Sequence, residues 1–473
     1  MRGAAFCPKT RLALAALGTL LLTGCATFSP DGGLGRVDAI VQERAGVSVQ
    51  RVQTATEAAR ARDEVERLLA QPLTAESAVK IALLNNRGLQ AGLAELGIVE
   101  ADLVQAGRLK NPGFSFGRFS QGDEREYERT FLFDLMHLLT LPKRSEIEQR
   151  RLAQTQLRLA NEVLRLAADT RKAYFSAVAA QEAVNYLAQA QAAAEAGAEL
   201  AARMARSGNF SQLRQQREQV FYAEVTAQRA RAQQSALAER ERLNRLLGLN
   251  GRQLAYVLPE RLPELPARPQ EAASLEQLAM ERRLDIQMAK QELEALANNL
   301  GLTRATRFIN VLEVGYLNSN SNAAPVKRGY EIELNLPIFD WGTARVAKAE
   351  ALYSQAMQRA AERAVQAQSE VREAYHAYRT AYDLARHYRD EIVPLRKKIS
   401  EENLLRYNGM LISVFDLLAD AREQVASVNA AIQALKDFWL AESSLQLSLN
   451  GSGAGSVPLS AGIPAAAGAV GGH

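Results

Sequence analysis

Apolar residues recur at steps of three and four along most of the chain. In the clearest run, Val346, Ala349, Tyr353, Ala356, Ala360, Ala364, Ala367, Val371, Ala374, Tyr378, Ala381, Ala385, Tyr388, Ile392, Leu395 and Ile399 form one stripe. The mean step of about 3.5 is coiled-coil spacing. Small residues dominate it, so neighbouring helices can approach closely. The stripe predicts a helix from about Gly342 to Tyr407, roughly 100 Å long at 1.5 Å per residue, kinked near Pro394. A second helix is predicted from about Ser413 to Leu449. Asn408 and Gly409 lie between them and tolerate φ > 0, which lets one helix end and the chain reverse. The stretch Arg406–Leu418 therefore reads as the tip of a long αα-hairpin. A matching tip, Arg206-Ser-Gly-Asn-Phe-Ser211, ends another long helix; Gly208 and Gly409 are 201 positions apart.

Elsewhere the period drops to two. Gly113–Phe119 alternates apolar with small or polar residues, a polar loop is expected over Ser120–Glu128, and Arg129–His137 forms a second strand closed by Pro142. Downstream, Asn310–Tyr316 is followed by an Asn/Ser-rich loop. Tyr330–Leu336 then sets Tyr330, Ile332, Leu334 and Leu336 on one face and Glu331, Glu333 and Asn335 on the other. The order of helix, strand pair, very long helix, Gly tip and returning helix thus occurs twice. A shift of 197 aligns Ser77 with Ser274, Ile81 with Leu278, Ala82 with Ala279 and Gln90 with Gln287. One helix is expected to start at Thr74 and another at Ser274, where Ser274 and Gln277 suggest a capping box. The predicted organisation is an N-terminal segment 25–72 with a helical pattern from about Val52, a first repeat 73–258, a Pro-rich linker 259–273, a second repeat 274–450 and a disordered tail 451–473.

The first 24 residues change the compartment. Arg2, Lys9 and Arg11 precede an apolar run, Leu12–Leu22, too short for an ordinary membrane-spanning helix. The run ends in Leu22-Thr-Gly-Cys25, which resembles a lipoprotein signal with cleavage before an acylated Cys25. Removing those three cations takes the net charge from +4 to about +1, which gives no reason to propose a nucleic-acid partner. Cys7 leaves with the signal, so no disulfide forms within the mature chain.

An exported chain with four short strands, each with an apolar and a polar face, poses a closure problem. Only helices and closed barrels satisfy the backbone in lipid. Four strands cannot close a barrel alone; three copies would supply twelve, within the range of outer-membrane barrels. The apolar face would meet lipid, and the Glu331/Glu333 face would meet water. Heterologous contacts that close into a ring would set the long helices side by side as a tube.

With the duplicated order of elements, the segment Leu334-Asn-Leu-Pro-Ile-Phe-Asp-Trp-Gly342 and the tip Arg406-Tyr-Asn-Gly-Met-Leu-Ile-Ser-Val-Phe-Asp416, the chain resembles the TolC family of outer-membrane factors over about residues 73–450. The resemblance implies a mainly α fold with a small β part: long α-hairpins forming a periplasmic α-barrel, and four strands per chain entering a trimeric twelve-stranded outer-membrane β-barrel. It implies a homotrimeric passive conduit of a tripartite efflux or type I secretion system, lipid-anchored in the outer membrane and joined by a periplasmic adaptor to an inner-membrane pump. It places Asp416 at the periplasmic gate, where three carboxylates would favour cations. It assigns adaptor contact to the tips, through Ser207, Gly208 and Asn209 and through Asn408, Gly409, Met410, Leu411 and Ser413. The chain departs from the family pattern in three places. Met410 fills the usual place of the tip glycine, Ala419 stands where a second gate acid is common, and Arg214 occupies the first-half equivalent of Asp416. Lys143-Arg144 is similar to a motif of heavy-metal exporters but lacks its two glycines.

No nucleophile–base set, phosphate-binding Gly loop or clustered metal ligands appears, so neither enzymatic activity nor a cofactor is expected. His376 and His387 are three turns apart and cannot share a metal. Tyr375, Tyr378, Tyr382 and Tyr388 read as interhelical packing. The reading from another class is a structural periplasmic lipoprotein whose strands never insert.

Overall fold

The computed structural model describes residues 27–271, 274–305, 312–334 and 341–453. The signal segment, Cys25, residues 335–340 and the tail beyond Gly453 lie outside the described residues. So do the expectations placed on them.

Among the described residues four helices come first: α1 (Leu34–Ala45), α2 (Ala55–Leu69), α3 (Ala75–Asn85) and α4 (Arg87–Ala106). Strands β1 (Gly113–Gln121) and β2 (Glu124–Asp134) follow, then α5 (Leu135–Arg206) and its return α6 (Gln212–Leu247). The second half repeats the order: α7 (Leu275–Arg282), α8 (Leu284–Ala305), β3 (Leu312–Ser321), β4 (Lys327–Leu334), α9 (Thr343–His387), α10 (Val393–Asn408) and α11 (Val414–Asn450). A π-helical segment, Tyr388–Ile392, joins α9 to α10. The chain divides into two compact units. Of the described residues, the first holds those within 27–37, 92–159 and 286–363, and the second those within 38–91, 160–285 and 364–453.

In the first unit the four strands form one antiparallel sheet in the order β1-β2-β3-β4. The expected loop at Ser120–Glu128 is absent. β1 runs to Gln121, a two-residue turn with Gly122 at φ 59° reverses the chain, and Gln121 pairs directly with Glu124. Nor does Pro142 close a strand. Asp134 ends β2 and accepts a hydrogen bond from the His137 amide at 2.8 Å, which starts α5 at Leu135 with Pro142 inside it.

The two larger apolar clusters among the described residues of the second unit lie one in each half. Tyr174, Phe175, Leu243 and Leu247 centre the first, with Leu73 and Ile81 from the preceding elements. Tyr378, Tyr382, Phe438 and Leu445 centre the second, with Leu275 and Ala279 in the corresponding places. Each fully buried side chain of this size contributes roughly 1.5–3 kcal/mol. The Pro-rich linker is pinned to the second cluster. Trp439 Nε1 donates to the Pro263 carbonyl at 3.1 Å, Tyr382 Oη donates to the Pro266 carbonyl at 3.0 Å, and the Gln270 amide donates to Tyr378 Oη at 2.8 Å. Two of the four stripe-side tyrosines are therefore packing residues with satisfied hydroxyls.

Helix starts follow local chemistry. Thr74 accepts from the Ser77 amide at 3.1 Å and Ser77 Oγ accepts from the Thr74 amide at 2.8 Å, a complete capping box. Ser274 behaves differently from the sequence expectation. It sits at φ 61° and its side chain makes no capping hydrogen bond. The helix α1 lies in a stretch for which the sequence predicts no helix, and Val37 and Val41 are its fully buried residues.

The long stripe is buried as spaced through Val371, Tyr378, Ala381 and Ala385. Beyond the π segment it slips: Leu395 and Ile399 are exposed, while Arg396 and Ser400 are half-buried. The cause is one extra residue. The Val393 amide donates to the Tyr388 carbonyl, five residues back, so every later side chain is rotated by one position. Pro394, which lacks an amide hydrogen, falls just after the segment at the start of α10.

Candidate conduit wall and hairpin tips

Residues directly opposite in an antiparallel pair share a face, so the register assigns every strand side chain. One face carries Phe114, Phe116, Phe131, Phe133, Tyr316, Tyr330 and Ile332, each between 43% and 81% exposed. Phe114 and Phe131 rings meet at 4.9 Å. From the Phe116 row to the hairpin turns the same face carries Arg129, Arg328, Arg118 and Arg125. The opposite face carries Glu124, Glu126, Glu128, Asp134, Glu313, Glu331 and Glu333, with Lys327 as the one cation on that face among the described strand residues. Charge sign therefore separates completely for the carboxylates. This second face is the more enclosed one: Thr130 and Ser319 are buried on it, and Ser319 Oγ donates to Glu126 at 2.5 Å.

Glu331 and Glu333 stand exposed on the acidic face, where the sequence placed them. The register adds Glu124, Glu126, Glu128 and Glu313, which were missed because their stretch was expected to be loop or was not assigned a face. Strand lengths of 9, 11, 10 and 8 residues approach the ~9–11 of a membrane-spanning strand. Among the described residues no helix is long and apolar enough to cross a membrane.

Both hairpin tips end their first helix with the same hydrogen-bond pair. At the first tip the Asn209 amide donates to the Met204 carbonyl at 3.0 Å and the Gly208 amide to Ala205 at 3.1 Å. At the second, the Leu411 amide donates to Arg406 at 2.8 Å and the Met410 amide to Tyr407 at 2.9 Å. The left-handed residue is Gly208 at φ 78° in one and Met410 at φ 61° in the other. This corrects the expected role of Gly409, which has φ −80°. The counterpart of Gly208 is Met410, one position later, where a glycine would relieve strain. Ser207, Gly208, Asn209, Asn408, Gly409, Met410 and Leu411 are all exposed, Met410 at 92%, while Ser413 caps the next helix.

The returning helices start alike as well. The Arg214 amide donates to Ser211 Oγ at 3.4 Å, and the Asp416 amide donates to Ser413 Oγ at 3.4 Å. Arg214 and Asp416 are therefore the same helical position in the two halves. Asp416 Oδ2 accepts from Ser413 Oγ at 2.8 Å and from the Ser413 amide at 3.0 Å. Those hydrogen bonds, the hydroxyl's first, hold its pKa below the ordinary carboxylate value, and Arg214 adds to the effect. The carboxylate is exposed and charged, and also ties off its own helix.

Below the tips lies a charged contact that sequence reasoning missed. Glu218, buried on α6, accepts from Arg422 on α11 at 2.9 Å, and the Arg422 guanidinium lies 4.5 Å over the Phe221 ring. Nearby Asp420 is buried, and its Oδ2 lacks a hydrogen-bond partner. Glu218 and Arg422 are 204 positions apart on different helices, so no local spacing could have revealed them. No group of three His, Cys, Asp or Glu side chains is set to hold a metal ion among the described residues.

No family model matches the chain. Solved structures do. It superposes on the outer-membrane channel OprN with a TM-score of 0.66 at 18% identity, covering 90% of this chain and 96% of that one. The open-state outer-membrane channel MtrE of Neisseria gonorrhoeae gives 0.66 at 18% identity, with 80% and 89% covered. The chain has the fold of these outer-membrane channels. This TolC-type fold, helical barrel and β-barrel together, is the one expected from the duplicated halves. The outer strands β1 and β4 of its sheet have no second strand partner among the described residues. Among curated proteins, the cobalt-zinc-cadmium resistance protein CzcC of Cupriavidus metallidurans is 27% identical over 279 residues. That alignment takes in 57% of this chain and 64% of the relative, less than two thirds of its length.

Proposed function

We propose that the chain is the outer-membrane channel of an efflux system, a passive conduit from periplasm to exterior. The observation that carries this reading is the two-faced sheet: an exposed aromatic and aliphatic face fitted to lipid, a carboxylate face fitted to water, and two edges, β1 and β4, unpaired among the described residues. Edge pairing β4 to β1 around a ring of three copies would give twelve strands and leave no edge in the bilayer. The helices would then form the periplasmic tunnel, with Glu331 and Glu333 facing the lumen.

In this reading Cys25 carries the acyl chains that anchor the complex. A periplasmic adaptor meets the tips at Ser207–Asn209 and Asn408–Ser413, and an inner-membrane pump supplies the energy. Asp416 lines the periplasmic mouth, its charge kept by Ser413. The domain division is that of the sequence: cleaved signal 1–24, N-terminal segment 25–72, repeats 73–258 and 274–450, linker 259–273 and tail 451–473. The partial likeness to CzcC and the carboxylate face favour divalent metal cations as cargo. Loss of the gene should sensitise its host to cobalt, zinc or cadmium; unchanged tolerance to all three would remove metals from the reading and leave the conduit. The assembly is tested by the mass of the detergent-solubilised complex. A mass of three chains that resists mild heating supports the ring, and a monomer that remains water-soluble after delipidation would replace it with the periplasmic scaffold.

A further inference from the structure

The four arginines of the aromatic face have no place in a conduit wall. Arg118, Arg125, Arg129 and Arg328 are exposed, and no carboxylate among the described residues forms an ion pair with any of them. The acids of the same strands all point the other way. Arg129 sits one row above the Phe131/Tyr316 row, about 7 Å at 3.4 Å per residue, and Arg125 about 20 Å above it. Arg129 and Arg328 share the row of Phe116, the last aromatic row of the face, and Arg118 and Arg125 lie one and two rows nearer the hairpin turns. Arg118 stacks against Tyr127 at 5.8 Å, and Arg125 and Tyr127 line an open cleft with Asn320 at the turns.

We propose that this band binds the phosphates of the anionic glycolipid in the outer leaflet of the outer membrane. The inference rests on the channel reading above, which sets the aromatic rows in hydrocarbon and the turns outside. A face apolar below, whose charged side chains above are all cationic, matches a lipid with acyl chains below and phosphates at the headgroup. Guanidinium forks hold phosphate oxygens in pairs, which ammonium groups do not. Closing β4 of one copy onto β1 of the next brings Arg328 toward Arg118 and makes the band continuous. The lipid would thereby hold neighbouring copies together.

The test uses the full chain in phosphatidylcholine vesicles with and without bisphosphorylated lipid A. The readouts are the temperature at which the oligomer dissociates and single-channel conductance. The wild type should be stabilised by lipid A and not by its dephosphorylated form. The variant R118Q/R125Q/R129Q/R328Q should conduct normally yet need at least about tenfold more lipid A for the same shift. A corresponding all-Lys variant should fall between the two. Equal stabilisation by phosphorylated and dephosphorylated lipid, or an undiminished shift in the Gln variant, would overturn the proposal. So would the same shift from inorganic phosphate alone. A wild type that forms no channels in any vesicle would instead bring down the channel reading beneath it.

Discussion

Asn86 and Arg283, 197 positions apart, do the same work in the two halves. Each breaks a helix, between α3 and α4 and between α7 and α8, and each reaches the C-terminal end of its half's returning helix. Asn86 Nδ2 donates to the Leu246 carbonyl at 3.0 Å, and Arg283 Nη1 donates to the Ser448 carbonyl at 3.3 Å. Only Arg283 is fully buried. It forks onto Asp285 at 3.0 and 2.7 Å and bonds Glu370 at 2.7 Å. Burial opposes its charge, but Asp285 and then Glu370 outweigh burial and raise its pKa.

Arg283→Ala leaves Asp285 buried without its cation. The expected loss is about 3–5 kcal/mol in chemical denaturation, against about 1 kcal/mol for Asn86→Ala. Replacing both partners, as R283M/D285L, should cost less than R283A alone. Equal losses at Asn86 and Arg283 would contradict the argument.

Met410 holds a left-handed conformation that its Cβ disfavours by roughly 1–2 kcal/mol. Met410→Gly should stabilise the chain by about 1 kcal/mol, whereas Gly208→Ala at the other tip should destabilise it by a similar amount. Thermal midpoints of the two variants, moving in opposite directions, check this.

The π segment explains why Leu395 and Ile399 leave the stripe. Deleting Asp390 together with Pro394→Ala should turn Tyr388–Ile392 into ordinary α-helix and preserve the phase of α10. A cysteine at 395 should stay reactive to a water-soluble maleimide and one at 396 should stay less so. Deleting Ala374 within α9 instead should misplace everything beyond it and abolish a cooperative transition.

Asp416 has a depressed pKa, because Ser413 bonds its charged form. Its contribution is complete above the unfolded value near 3.9 and is lost as pH falls through the lower folded value. Amide exchange over 414–418 should therefore be faster in Asp416→Asn than in the wild type at pH 7. The difference should vanish only below the ordinary carboxylate range.

The long helices were legible because apolar and small residues, mostly Ala and Tyr, repeat at helical spacing over sixteen positions, and the tips because Gly and Asn punctuate them. The strand stretch Glu124-Arg-Glu-Tyr-Glu-Arg129 was not, because hydropathy scores both of its faces as mostly polar. Its period of two lies in the sign of the charge. The slip of the stripe depended on one extra residue, which spacing alone does not announce. At the second tip the backbone chose Met410 over Gly409 because the hydrogen-bond pattern, set by Arg406 and Tyr407, fixes which residue must turn left-handed. The Glu218–Arg422 pair needed the three-dimensional fold.

Single-channel recording in planar bilayers asks whether the sheet separates lipid from a water-filled lumen. Wild type should give discrete, cation-selective steps. E331Q/E333Q should keep the steps and lose part of the selectivity. Ile332→Arg, on the apolar face, should cost about 2–4 kcal/mol of insertion and sharply reduce the number of channels. A folded, oligomeric protein that gives no steps, or one that inserts equally well with Arg at 332, would contradict the account.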